Sequence, residues 1–178
     1  MNIETLNART SDPDLPTILI VDDNLDDLEM FDTGFRLYHA PFNAHYCMTG
    51  AGAEALVRSQ CFDAIAIDVD LPDGLTGTAA GLKIRLLDPG LPILIHTGFS
   101  EDVVKPFLEI MRADYLRKGS VTLPELINKL AALARAHRCR AKAKATAGAQ
   151  NLSDLEWSPA MRERLEARSM AYGVSLRG

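Results

Sequence analysis

The strongest constraint on this chain is an alternation: short apolar runs that end abruptly in a polar group, each followed by a helical pattern. The first run, Thr17–Val21 (TILIV), is β-branched and stops at Asp22-Asp23-Asn24, which reads as a strand feeding the start of a helix. In Leu25–Leu37 the apolar residues Leu25, Leu28, Phe31 and Phe35 recur every three or four positions, the spacing of one helix face. The pattern then repeats, with strands expected at 44–48, 63–69, 92–96 and 115–117. Helices are expected at 51–59, 78–87 and Glu101–Met111, and from a capping box at Thr122-Leu-Pro-Glu125 through about 137. The third run, DAIAIDV, is almost wholly apolar, as a strand covered on both faces must be. Five βα units with short connections predict an α/β fold, a doubly wound five-stranded parallel sheet, with a helical C-terminal extension.

Composition adds limits. The chain has 178 residues, 47% of them hydrophobic, enough to bury a core without disulfides or a structural metal. Three cysteines at wide spacing, Cys47, Cys61 and Cys139, read as reduced thiols of a cytoplasmic protein. No apolar run reaches the length of a membrane span. Residues 1–137 carry 11 Lys/Arg against 20 Asp/Glu, and residues 138–178 carry 8 against 4. An acidic body therefore precedes a basic tail, which argues against nucleic-acid binding by the body. The expected layout is a disordered segment 1–16, a domain at 17–138, a helix extension or linker at 139–150, and a helical arm at 151–178. Within that arm a helix is expected from 159 to about 172.

The polar groups at the strand ends carry the chemistry. In an open parallel sheet the ligand crevice lies at the carboxyl edge of the strands. There the chain offers Asp22 and Asp23 after the first strand, Asp68 at the third, Thr97 at the fourth and Lys118 at the fifth. Converging carboxylates call for a hard cation, and Mg2+ is the natural one. A carboxylate nucleophile, a Lys and a hydroxyl beside Mg2+ suit phosphoryl chemistry. Each residue alone has a plainer reading: Asp22-Asp23-Asn24 as a helix cap, Tyr115 as packing. The histidines show no metal-ligand spacing, and strand alternation turns His96 away from Thr97.

Four motifs, ILIVDDN (18–24), DAIAIDVDLP (63–72), PILIHTG (92–98) and ADYLRKG (113–119), resemble, in order and spacing, the receiver domains of two-component response regulators. The resemblance implies a flavodoxin-like receiver whose phosphoacceptor is Asp68. It implies Mg2+ held by Asp22, Asp23, Asp68 and the backbone carbonyl of Asp70. Thr97 and Lys118 correspond to the residues that meet the phosphoryl group, and Thr97 with Tyr115 to the switch. Asp70 and Phe99 occupy positions that modulate phosphorylation and dephosphorylation rates. The implied partners are a sensor histidine kinase or a histidine phosphotransfer protein, and a homodimer through the last helix and the arm is expected. The implied protein is a signalling switch rather than a turnover enzyme. Two departures stand out: Lys118 is followed by Gly119 where the family has Pro, and the loop after the third strand is longer and Gly-rich. An alternative is a Mg2+-dependent phosphatase resembling the haloacid-dehalogenase family, whose Asp-x-Asp motif Asp68-Val69-Asp70 imitates. That reading leaves Asp22-Asp23 unexplained.

Overall fold

A computed structural model describes residues 2–8, 12–72 and 76–146, with side chains through 141. Five strands form one parallel sheet: β1 (Thr17–Val21), β2 (Asn43–Cys47), β3 (Ala64–Ile67), β4 (Ile93–Thr97) and β5 (Asp114–Arg117), in the order β2-β1-β3-β4-β5. The helices are α1 (Ile3–Asn7), α2 (Leu25–Leu37), α3 (Gly50–Ser59), α4 (Gly77–Leu87), α5 (Glu101–Met111) and α6 (Leu123–Thr146). Strand order reverses at β1, so the crevice of a doubly wound sheet opens beside the carboxyl ends of β1 and β3.

Alternation along each strand divides the core in two. Leu19, Val21, Ile65, Ile67, Ile93 and Ile95 face α3, α4 and α5, where Ala53, Leu82, Ile84, Val104 and Met111 meet them. Ile18, Ile20, Ala64, Ala66 and Leu94 face the other way, onto Leu28, Phe31 and Phe35 of α2 and Leu126, Ile127 and Leu130 of α6. Both faces are covered, which is why these strands are continuous apolar runs. The register pairs Val21 with Cys47 and with Ile67, and Thr97 with Arg117. The strands thus end nearly level, and the residues just beyond them share one edge. Asp68 lies outside β3, which is shorter than expected because its flanking residues turn to other tasks: Asp63 accepts from Thr17 N at 2.9 Å.

The beginning of the chain departs from the sequence expectation. Instead of a disordered segment through residue 16, Ile3–Asn7 is a helix capped by Asn2, whose Oδ1 accepts from Thr5 N at 2.8 Å. Leu6 is 1% exposed and belongs to the α2/α6 side of the core. The Asn7 amide holds the backbone of the edge strand β2 from both sides, donating to Tyr46 O and accepting from Tyr46 N, each at 2.8 Å. Asn43 does the same to Asp12, at 2.7 and 2.9 Å. These contacts cover an edge that would otherwise offer unpaired backbone groups.

The capping box before α6 forms: Glu125 Oε2 accepts from Thr122 N at 2.7 Å and from Thr122 Oγ1 at 2.8 Å. The helix then runs unbroken to Thr146, so of the two readings of the run after 138, helix extension or linker, the described residues take the helical one. Arg138 Nη1 donates to Asp14 O at 2.8 Å, fastening α6 to the segment before β1. The expected arm at 151–178 and its helix lie outside the described residues.

Candidate functional site

Asp22 is the first residue beyond β1. Its backbone N–H donates to Cys47 O at 3.1 Å, and its Oδ1 accepts from Asn24 N at 3.1 Å. Asn24 in turn caps α2 through Asp26 N at 3.0 Å. One turn therefore both starts the helix and aims a carboxylate along the sheet edge. Asp68 is placed in the same way beyond β3, its N–H donating to Val21 O at 2.9 Å. Its Oδ1 accepts from Val69 N and Asp70 N. Asp22 is 2% exposed and Asp68 7%.

Lys118 joins them. Its backbone N–H donates to Thr97 O at 2.8 Å, which anchors the residue to the end of β4. Its ammonium contacts Asp22 Oδ2 at 2.6 Å and Asp68 Oδ2, and it also reaches Asp27 Oδ2 at 3.1 Å. Gly119, which follows, takes the left-handed φ of 77°, and no cis peptide bond occurs among the described residues. Lys118 thus reaches the acidic pair although no proline follows it.

Burial alone would lower the Lys118 pKa. The hydrogen bonds to Asp22, Asp68 and Asp27 outweigh that and hold it above its ordinary value, so the side chain is a permanent cation. Burial raises the Asp22 pKa, and the Lys118 hydrogen bond only partly offsets this. The two shifts describe one structure: a carboxylate that is costly to keep dry, and a lysine that makes its charge tolerable.

Thr97 is 1% exposed. Its hydroxyl accepts a long bond from Phe99 N at 3.5 Å. The turn after β4 is gripped from β5: Tyr115 Oη donates to Phe99 O at 2.6 Å, and Arg117 Nε donates to Gly98 O at 3.2 Å. Phe99 itself is 44% exposed. His96 packs against Phe31 at 5.6 Å, the packing role expected of it. Burial first, then the Lys118 charge, lowers its pKa to about 4, so it is neutral near pH 7.

The structure therefore brings Asp22, Asp68 and Lys118 into direct contact and ties Thr97 to Lys118 through the backbone. Asp23 and Asp70 are exposed, and among the described residues their carboxylates make no hydrogen bond or ion pair. Asp70 meets the site through its backbone N–H, at 3.3 Å from Asp68 Oδ1. Two residues were not singled out from the sequence. Asp27 lies beside Asp26 in the first turn of α2, where an acidic residue is favoured by the helix dipole alone, so no local pattern marks it out. Gly77 opens α4 so close to Asp68 that a Cβ would lie 1.6 Å from Asp68 O. Its N–H donates to Val69 O at 2.9 Å, so α4 begins against the Asp68 backbone.

Among the described residues no group of three Asp, Glu, His or Cys side chains is gathered to hold a metal. The donor chemistry nevertheless fits Mg2+, which is commonly held by one or two carboxylates and keeps several waters. Asp22 and Asp68 are two such carboxylates, close enough to share one cation, the Lys118 ammonium.

Residues 18–131 match the response regulator receiver domain family. The chain is 32% identical over 158 residues to the transcriptional regulatory protein ZraR of Salmonella typhimurium, covering 86% of this chain and 34% of that protein. It is 32% identical over 130 residues to the probable transcriptional regulatory protein TcrX of Mycobacterium tuberculosis, covering 71% of this chain and 53% of that protein. The match thus spans about a third to a half of these curated relatives. Among solved structures, a CheY-like response regulator receiver domain protein from Methanospirillum hungatei superposes with a TM-score of 0.63 at 24% identity, covering 71% of this chain and 98% of that one. A signal receiver domain of a putative Luxo repressor protein from Vibrio parahaemolyticus gives 0.65 at 20% identity, covering 73% and 98%.

Proposed function

The chain belongs to the response regulator receiver family, and on that premise we propose that it is a signalling switch that takes a phosphoryl group onto Asp68. The observation that carries this reading is the Lys118 ammonium seated between Asp22 and Asp68 at the carboxyl edge of the sheet. The donor is a phosphohistidine on a sensor histidine kinase or a histidine phosphotransfer protein. A carboxylate oxygen of Asp68 attacks phosphorus, and the O–P bond forms as the P–N bond breaks. The imidazole nitrogen keeps the electron pair and takes a proton from water. The product is an acyl phosphate, which water later hydrolyses.

Lys118 stabilises charge on the phosphoryl oxygens, and the Thr97 hydroxyl donates to one of them. Asp22, Asp23 and Asp68 with the Asp70 carbonyl would hold Mg2+, which supplies charge neutralisation during in-line transfer. A change at Thr97 has a mechanical route outward. It pulls on Phe99 N, and the same turn is bonded to Tyr115 and Arg117. The β5 face then shifts population between two states. Asp70 and Phe99, flanking the site, set how fast the acyl phosphate forms and decays. The protein acts in the cytoplasm and pairs with a second copy through α6 and the arm. No helix among the described residues is long and apolar enough to cross a membrane.

The test uses the full chain with Mg2+ and phosphoramidate, which carries the same P–N bond as phosphohistidine, and then a panel of phosphorylated kinases. One hydroxylamine-labile phosphoryl group per wild-type chain and none on Asp68→Asn is expected. Label retained on Asp68→Asn overturns the assignment. Repeated turnover of a simple phosphate ester would instead favour the phosphatase reading.

A further inference from the structure

Lys118 holds three carboxylates, and only two of them belong to the phosphoryl site. We propose that Asp27 is a positioning residue for Lys118, the carboxylate that keeps its ammonium at the site once Asp22 and Asp68 are given over to a divalent cation. The proposal rests on the reading of Asp22 and Asp68 above. In the structure described, the ammonium shares itself among Asp22 at 2.6 Å, Asp68 and Asp27 at 3.1 Å. When the first two turn to a divalent cation, they stop being strong partners, and Lys118 is left beside a second positive charge. An ammonium in that position is expelled unless another acceptor holds it. Among the described residues, Asp27 is the one carboxylate in contact with it that is outside the expected ligand set.

Three observations set Asp27 apart from an ordinary helix-dipole residue. Its neighbour Asp26 is exposed and carries the N–H that Asn24 caps, so the start of the helix is already served. The Asp27 side chain is only 32% exposed and turns toward Lys118. Gly119, which follows Lys118, sits at φ 77° with nothing within 4 Å of where a Cβ would be, so no following side chain packs beside the lysine stem there. The Lys118 backbone is held at Thr97 O, but the aim of its long side chain is set at the tip, by the carboxylates its ammonium meets. There is also room for the movement: a cavity of about 290 Å³ is lined by Asp27, Lys118 and Gly119 together with Met30, Phe31 and Leu123.

The experiment is a lysine footprint of the full chain, using an amine-acylating reagent read by mass spectrometry, with and without Mg2+. Wild type, Asp27→Asn and Asp27→Ala are compared, and calorimetry follows Mg2+ binding to each. Lys118 of the wild type should stay protected in both conditions. In Asp27→Ala it should be protected without Mg2+ and label about fivefold faster with it, in line with one lost charge-assisted hydrogen bond at a partly exposed site. Asp27→Asn, which keeps an acceptor oxygen, should fall between. Equal protection in Asp27→Ala and wild type, with Mg2+ bound to both, overturns the role of Asp27 alone. A wild type that binds no Mg2+, or an Asp68→Asn variant that binds it undiminished, overturns the site reading and this proposal with it.

Discussion

Replacing Lys118 with Met keeps most of the aliphatic stem and removes the charge, leaving Asp22, Asp27 and Asp68 facing one another. Removing one partner of a buried ion pair costs about 3–5 kcal/mol. Here the Lys118 side chain is 23% exposed and that of Asp27 32%, so water screens part of the loss. The expected deficit is about 2 kcal/mol at pH 7 with EDTA present. With a urea slope of about 2 kcal/mol per M, the unfolding midpoint falls by about 1 M. Two further signatures separate this from lost packing. In wild type the Asp22 carboxyl is raised by burial and lowered by Lys118, so without Lys118 it rises further. A carboxyl that binds its proton more tightly when folded gains stability as the pH falls. The gap between Lys118→Met and wild type should therefore narrow toward acid pH. Mg2+ should narrow it too, by supplying the missing positive charge. In wild type the Lys118 contribution is fully present below its ordinary pKa of 10.5 and is lost only as the pH climbs through its raised value. A variant with the wild-type midpoint at pH 7 would refute the reasoning, as would a deficit indifferent to both acid and Mg2+.

Two other expectations follow from single distances and one pKa. Gly77→Ala forces a Cβ to within 1.6 Å of Asp68 O and 2.7 Å of Asp68 C, and backbone atoms cannot step aside as a side chain can. It should cost about 1–3 kcal/mol and slow phosphoramidate labelling of Asp68, whereas an unchanged melt and labelling rate would mean that the start of α4 has slack. His96 has its pKa lowered from 6.5 to about 4, so between those values the unfolded chain binds more protons and stability rises with pH. About 3 kcal/mol is lost by pH 4 on this account. Urea midpoints of His96→Gln should show a flatter profile over that window than wild type, and parallel profiles would discard the assignment.

Much of the architecture is legible in the chain because its signals are local. Asp22-Asp23-Asn24 after TILIV announces a strand end and a helix cap within eight residues, and Leu28, Phe31 and Phe35 show which face of α2 is buried. Helix α1 escaped because five residues with two apolar positions carry no period. Such a short helix persists through what it docks on, the buried seat of Leu6 and the Asn7 clasp on Tyr46. The end of α6 stayed open in the sequence because the run after Cys139 is consistent with either helix or linker, and the folding of the chain into helix through Thr146 decides it.

The residue types at the strand ends, and hence the chemistry available to the site, were determined by sequence alone, since each follows from a neighbouring run of a few residues. What only the tertiary structure decided is how those groups meet. Lys118 lies 96 residues from Asp22 and 91 from Asp27, and no local pattern encodes a 3.1 Å contact across that span. The level ends of parallel strands bring Lys118 to Asp22 and Asp68, and the first turn of α2 adds Asp27. Asp23, equally prominent in the sequence, is left in solvent. Sheet register and helix rotation, set by packing on both faces, distinguish Asp27 from Asp23.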